Sequence, residues 1–518
     1  MAHVPDWPDP LHDSEDSPVA GPRWPLLVAL IIACGAALRF SHLDAGIPYA
    51  LGVDEPQIMN RVVHMMKSGD FNPHFFDWPS LTFYLQLVVA CFTFLGGAMQ
   101  GDWSRLDQVD PSHFYVTGRM LTAALGTATI WLVYLAARRW GQVHAIIAAA
   151  VMAVVPFHVR ESHYVLTDVP AAFFVALAFV LTLRAREQGT LGSFALAGVA
   201  VGLAASAKYN GLVVIVLPLL VAMLDSAQLA VKVQRVLVIG AAAVAVFLVG
   251  TPYAALDLPK FLADYARLAA VFARERDGEA GWSVYLKHLK LALGWPALLL
   301  GFAGLAVATM RIVAGPDRLR WLLLATFSLL YFQVMAGSYQ IYGRYLLPLF
   351  PFVSVLVAVG AVAAVGLVRG RFPLRGAHPL LVVAVIAALA QPAWTSVAFN
   401  RRLGRTGTID LAYRWIEQHV PQGSKVVVER DALTLPEARF EFVGARSLIA
   451  RTYEDYAVDE VDYFLASSEG YGAAFAGHDP ADYIAYQTLF TKSEEVAAFR
   501  PSDESPGPEL RLFHITRE

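Results

Sequence analysis

The chain has 518 residues, 57% of them hydrophobic and 16% charged, where soluble proteins carry about 25% charged residues. That balance excludes an ordinary soluble globular protein and makes lipid the main solvent, since a helix needs roughly 20 predominantly apolar residues to cross the hydrocarbon core. The net charge of −3 comes without a basic stripe that could follow a phosphate backbone, so no nucleic acid is expected as a partner.

Residues 1–23 are rich in Pro, Asp and Ser and are expected to form a disordered cytoplasmic tail. This start is acidic rather than basic, so the run from Trp24 to Phe40 is expected to be a retained membrane anchor and not a signal peptide. Apolar runs follow at 80–99, 116–137, 142–157, 168–184, 191–207, 211–225, 232–251, 291–312, 320–337, 345–368 and 378–398, the first extending over 24–43. Cys34 and Cys91 fall inside such runs, with no disulfide or metal spacing, and are expected to be small packing residues.

Orientation follows from Lys and Arg in short loops, which favour the cytoplasm. Five clusters stand out: Arg138-Arg139, Arg184 with Arg186, Lys232 with Arg235, Arg311 with Arg318 and Arg320, and Arg369 with Arg371 and Arg375. Counting spans places all five on one side. The same count is consistent only if the run at 80–99 does not cross once, so it is expected to lie on the outer face as an interfacial helix. The result is a helical membrane domain over 24–400 with about 11 spans and outer loops at 44–115, 158–167 and 252–290. Beyond residue 405 the pattern changes. Thr408 can cap a helix with Ile409, Ala412, Ile416 and Val420 at helical spacing, and Lys425 to Glu429, Val461 to Leu465 and Leu510 to Ile515 read as strands. Residues 405–518 are therefore expected to form a small extracytoplasmic α/β domain.

Unusual ionisable residues collect in the outer loops. Asp54 and Glu55 follow the first span almost directly, and two adjacent carboxylates at a membrane surface can hold a metal or take a proton from an acceptor hydroxyl. A plain helix start, with Pro56 in the first turn, would also place acids there. Asp168 stands at the mouth of an apolar helix in the loop carrying His163 and Tyr164. Lys208 and Arg344 interrupt apolar helices on the side where basic residues are disfavoured, so each calls for a partner: a phosphate at membrane level, or an acid in a structural ion pair. Arg119 is a further cation at the outer start of a helix. His64, His74 and His163 match no fixed ligand spacing, which leaves a divalent metal at Asp54 and Glu55 open. No Walker phosphate loop or dinucleotide-binding glycine fingerprint is present, as befits a donor already activated as a lipid phosphate.

Together these residues resemble the GT-C fold glycosyltransferases, in particular bacterial relatives of protein O-mannosyltransferases and of lipid A aminoarabinose transferases. The resemblance rests on Asp54-Glu55 after the first span, Trp78-Pro79-Ser80-Leu81 in place of a Pro-Pro-Leu element, Asp168 in the next outer loop, and Gly343-Arg344-Tyr345-Leu346-Leu347-Pro348 near the last spans. It implies transfer of a sugar from a polyprenyl-phosphate donor to a protein, lipid or glycan acceptor on the outer side of the cytoplasmic membrane, with inversion. It further implies Asp54 as base, with Glu55 and Asp168 completing the catalytic group. Arg344, Lys208, Tyr345 and Arg119 would hold the donor phosphate, and His163, Tyr164 and Asp77 would contact substrate. Two rival classes remain: a transporter or flippase of a lipid-linked or small anionic substrate, whose charges tend to lie near the midplane, and a non-catalytic binder or scaffold.

Overall fold

The computed structural model describes residues 23–49, 52, 54–274, 278–371, 378–430, 439–477 and 479–516. The expected N-terminal tail, apart from Arg23, and Arg375 lie outside them. The chain forms two compact units, Met1–Leu43 with Asp54–Val397 and Asp44–Val53 with Ala398–Glu518.

The first unit is helical: α1 (Arg23–Phe40), α2 (Glu55–Ser68), α3 (Leu81–Gln100), α4 (Tyr115–Ala137), α5 (Gln142–Val154), α6 (Pro156–Glu161), α7 (Asp168–Gln188), α8 (Leu191–Ala207), α9 (Val216–Leu224), α10 (Leu229–Gly250), α11 (Tyr253–Leu256), α12 (Leu258–Phe272), α13 (Gly281–Ala314), α14 (Arg318–Ala336), α15 (Phe350–Arg371) and α16 (His378–Leu403), the last of which runs on into the second unit from Ala398. Tight 3-10 turns, Tyr209–Ile215 and Gly343–Leu349, lead into α9 and α15. Among the described residues eight helices are long and apolar enough to cross a membrane, and four shorter apolar helices accompany them. These coincide with the apolar runs read from the sequence. Large apolar side chains such as Leu237, Val249, Phe302 and Val383 remain exposed on helix exteriors, as lipid solvation allows.

The most enclosed span is α7, which packs against α4 and α8. Small residues permit close approach: a Cβ on Gly198 or Gly202 of α8 would stand 2.6 or 2.5 Å from a backbone oxygen of α10. At the C-terminal end of α7 the basic clusters are tied together. Arg139 pairs with Glu187 at 3.0 Å, Arg186 with Asp317, Arg320 donates to the Arg139 carbonyl, and Arg235 bonds Asp225 at 2.5 Å and the Gly189 carbonyl at 3.0 Å. Four of the five clusters thus meet at one end of the bundle.

By length and composition α3 counts among the eight, yet its contacts are unlike those of a helix running along its neighbour. Gln86 bonds the Gly118 carbonyl at 3.1 Å and Thr93 bonds Thr117 at 2.9 Å. Two positions about 10 Å apart along α3 therefore meet the same turn of α4, so α3 crosses the start of that helix. Cys34 and Cys91 lie exposed on α1 and α3, not in packing contacts: their neighbours in sequence are apolar, but these faces point outward.

The second unit is an α/β domain around a five-stranded sheet of order β2-β1-β3-β5-β4. Its strands are β1 (Lys425–Glu429), β2 (Glu441–Ala445), β3 (Tyr463–Ser467), β4 (Glu494–Phe499) and β5 (Leu510–His514), with β1 parallel to β2 and β3 and β5 antiparallel to β3 and β4. Helices α17 (Thr408–His419), α18 (Tyr453–Val458), α19 (Ser468–Phe475) and α20 (Pro480–Lys492) cover it. Thr408 does not cap α17: its hydroxyl bonds the Pro508 carbonyl at 2.8 Å, while Asp410 accepts from the Gly407 N–H at 3.2 Å.

Candidate active site

Four chain segments converge at the end of the bundle where α7 begins. Asp54 precedes α2 with helical backbone angles but makes no side-chain cap bond, so its carboxylate is directed elsewhere. Asp168 opens α7, where the helix dipole favours an acid. Lys208 ends α8, and Arg344 sits in the turn before α15.

These side chains form one chain of alternating charge. Arg344 Nη2 lies 2.7 Å from Asp54 Oδ2, its Nε 4.0 Å from Asp168 Oδ2, and Lys208 Nζ 2.5 Å from Asp168 Oδ1. The Lys208 ammonium also stands 4.4 Å from the centre of the Tyr345 ring. Around them is a small hollow lined by Asp54, Asp168, Lys208, Arg344 and Tyr345 together with Ile58, Trp78, Leu166 and Thr167. Among the described residues Arg344 Nε is buried with no hydrogen-bond acceptor, Asp168 Oδ2 at 4.0 Å being too far for one. A buried donor of this kind is costly and marks where an anionic oxygen would be accepted.

Glu55, though adjacent to Asp54, points away from this hollow. It is fully buried and binds Arg119 through two hydrogen bonds of 2.8 and 2.7 Å, while accepting from the Val165 N–H at 2.8 Å. Arg119 also donates to the Leu43 carbonyl at 2.8 Å and stands over the Tyr164 ring. His163 is buried and bonds the Val159 carbonyl at 2.8 Å. Asp77 faces Arg267 of α12 at 2.7 Å, beside Asp264, which accepts from the Phe76 N–H at 3.1 Å. Burial works to raise the Asp264 carboxyl, but its bonds to Lys260, the Phe76 N–H and Arg267 hold it below the ordinary range. These contacts dock the loop carrying Trp78 onto α12. Of the residues singled out from the sequence, Asp54, Asp168, Lys208, Arg344 and Tyr345 therefore share the hollow. Glu55, Arg119, His163, Tyr164 and Asp77 surround its framework.

Glu161 was not legible as part of this region. Burial pushes its carboxyl up against the pull of Arg160, and Asp168 adds to the rise. Among the described residues no three His, Cys, Asp or Glu side chains are placed to hold a metal ion. Asp54 and Glu55 diverge towards separate arginines, so they do not make a donor set for a divalent cation. His74 is engaged with Asp70 at 2.9 Å.

A second hollow, apolar and half-open, lies between α13, α14 and α15, with Leu289, Leu298, Phe302, Phe332, Leu349 and Val353 in its wall. Leu349 belongs to the same turn as Arg344.

Residues 60–263 match the family described as dolichyl-phosphate-mannose-protein mannosyltransferase (PMT). This stretch includes Asp168 and Lys208 but not Asp54, Glu55 or Arg344. The archaeal oligosaccharyltransferase AglB of Archaeoglobus fulgidus, solved with an inhibitory peptide and a dolichol-phosphate, superposes with a TM-score of 0.56 at 15% identity, covering 86% of this chain and 69% of that one. ArnT of Cupriavidus metallidurans in the apo state gives a TM-score of 0.55 at 15% identity over 94% of this chain and 97% of its own. Its form bound to undecaprenyl phosphate gives 0.52 at the same identity and coverage. The chain has the GT-C fold. No curated protein matches by sequence, so the GT-C assignment rests on architecture and on the PMT-matched segment. It accounts for a multi-pass helical domain joined to a small sheet domain.

Proposed function

We propose that this GT-C protein is a glycosyltransferase that moves a sugar from a polyprenyl-phosphate donor to an acceptor on the outer side of the membrane. The observation that carries the reading is the pair of cations at one hollow, Lys208 and Arg344, with a buried Arg344 donor that has no acceptor among the described residues. The PMT match and the lipid-phosphate complexes of AglB and ArnT support it.

In this mechanism the donor phosphate takes Arg344 and Lys208, and Arg344 is released from Asp54. Asp54 then accepts the proton of an acceptor hydroxyl. The acceptor oxygen bonds to the anomeric carbon as the bond from that carbon to the phosphate oxygen breaks. The electron pair stays on the departing polyprenyl phosphate, and the anomeric centre inverts. Negative charge grows on that oxygen in the transition state, where fixed cations stabilise it most. The apolar cavity beside Leu349 is suited to the lipid tail. Glu55 and Arg119 act here by holding the hollow's walls, as do His163, Tyr164 and Asp77. The orientation of α3 across the start of α4 suits an interfacial helix beside the lipid entrance.

Purified protein given a synthetic polyprenyl-phosphate sugar and a mixed acceptor extract should release polyprenyl phosphate and label an acceptor. Movement of the intact lipid across a vesicle bilayer without cleavage would instead establish the transporter reading. Arg344→Ala should raise the donor KM about 10- to 100-fold, the range for a hydrogen bond to a charged group, and leave the acceptor KM nearly unchanged. Unaltered donor affinity would remove Arg344 from phosphate binding.

A further inference from the structure

Both cations stand on irregular turns that interrupt the helices, and such backbone needs an external constraint to hold a fixed geometry. The constraint is a neutral hydrogen-bond relay. Asn210, two residues after Lys208, donates through Nδ2 to the Tyr331 hydroxyl at 2.9 Å, and that hydroxyl donates to the Tyr345 carbonyl, next to Arg344, at 2.9 Å. Tyr331 is fully buried on α14, stacked on Phe327, so its ring cannot shift to follow either turn. The same two turns are joined a second time by charge, through Lys208, Asp168 and Arg344.

The two links behave differently when an anion arrives. A phosphate competes with Asp168 and Asp54 for the cations, so the charged link loosens at the moment the site is used. The relay is uncharged, it takes only the backbone carbonyl of Tyr345, and neither Asn210 nor Tyr331 lines the hollow, so it persists. We infer that Asn210 and Tyr331 are positioning residues that fix the spacing of Lys208 and Arg344 for a lipid-borne phosphate. This rests on the phosphate-binding reading above. It adds two residues that touch neither substrate nor reacting atoms, and it places specificity for the phosphate, as opposed to the lipid, in a buried tyrosine hydroxyl. Preorganised donors of this kind stabilise developing charge because nothing has to reorganise around them.

The test compares undecaprenyl phosphate with uncharged undecaprenol, binding to the full chain in detergent. Tyr331→Phe keeps the ring and removes only the hydroxyl. It should weaken undecaprenyl phosphate binding about five- to tenfold, as loss of a hydrogen bond with a stranded buried partner implies. Undecaprenol binding should be unchanged. Asn210→Ala should do the same, and the double variant should lose little more than either single one, because both break one relay. In turnover the donor KM should rise while the acceptor KM holds. An equal loss for both lipids, no loss for either, or fully additive losses would overturn the inference. If the wild type itself does not prefer the phosphate to the alcohol, the phosphate-binding reading fails first and takes the relay with it.

Discussion

Asp54→Asn should lower kcat about 10²- to 10⁴-fold, the range expected when a general base is lost, with the protein still folded and still binding polyprenyl phosphate. Asparagine has nearly the same shape as aspartate but cannot take the acceptor's proton. Folding should survive because Asp54 contributes no cap bond to α2 and is partly exposed, at 20%. Donor binding should hold or tighten, because Arg344 then has no carboxylate at 2.7 Å competing with the incoming phosphate. Single-turnover assays with pre-bound donor separate the two effects. Near-normal turnover in the variant would take Asp54 out of proton transfer, and a large loss of donor affinity would make its role one of holding Arg344.

Much of this arrangement was legible because lipid makes ionisable residues conspicuous. A Lys or Arg in an apolar turn stands out, so Lys208 and Arg344 could be picked from sequence and given a shared kind of partner. Apolar runs are equally plain, which is why the membrane helices and the crossing problem at 80–99 were visible. The division of labour between neighbours was not. Asp54 and Glu55 look alike in sequence, but one helical residue rotates the side chain by about 100°, enough to send Glu55 into the framework and leave Asp54 at the hollow. Tyr331 was hidden because a tyrosine among Phe and Leu on an apolar helix looks like packing, and only its hydroxyl's partners distinguish it. In the second unit, β1, β3 and β5 are well buried and could be read as strands. The edge strands β2 and β4 are half-exposed, with burial alternating weakly, and gave no clear pattern.

Glu55→Ala should be the most destabilising of the single changes in this region, by about 3–5 kcal/mol, the cost of stranding one member of a buried ion pair. The Arg119 guanidinium would keep its bond to the Leu43 carbonyl but lose both oxygens of its carboxylate partner, and the Val165 N–H would lose its acceptor as well. The damage should not stay local, because this pair joins the end of α1, the start of α2, the first turns of α4 and the loop before α7. The hollow stands on the last of these, through Leu166, Thr167 and Asp168. Replacing both residues at once, Glu55→Gln with Arg119→Met, should recover a substantial part of the stability, since a buried charge pair contributes less than either half costs when left alone. Thermal unfolding in detergent compares the single and the double variant. If the single and double variants lose the same stability, the pair is not the element that holds these segments together, and the buried packing of Ile58, Met59 and Val62 on α2 would have to carry that role.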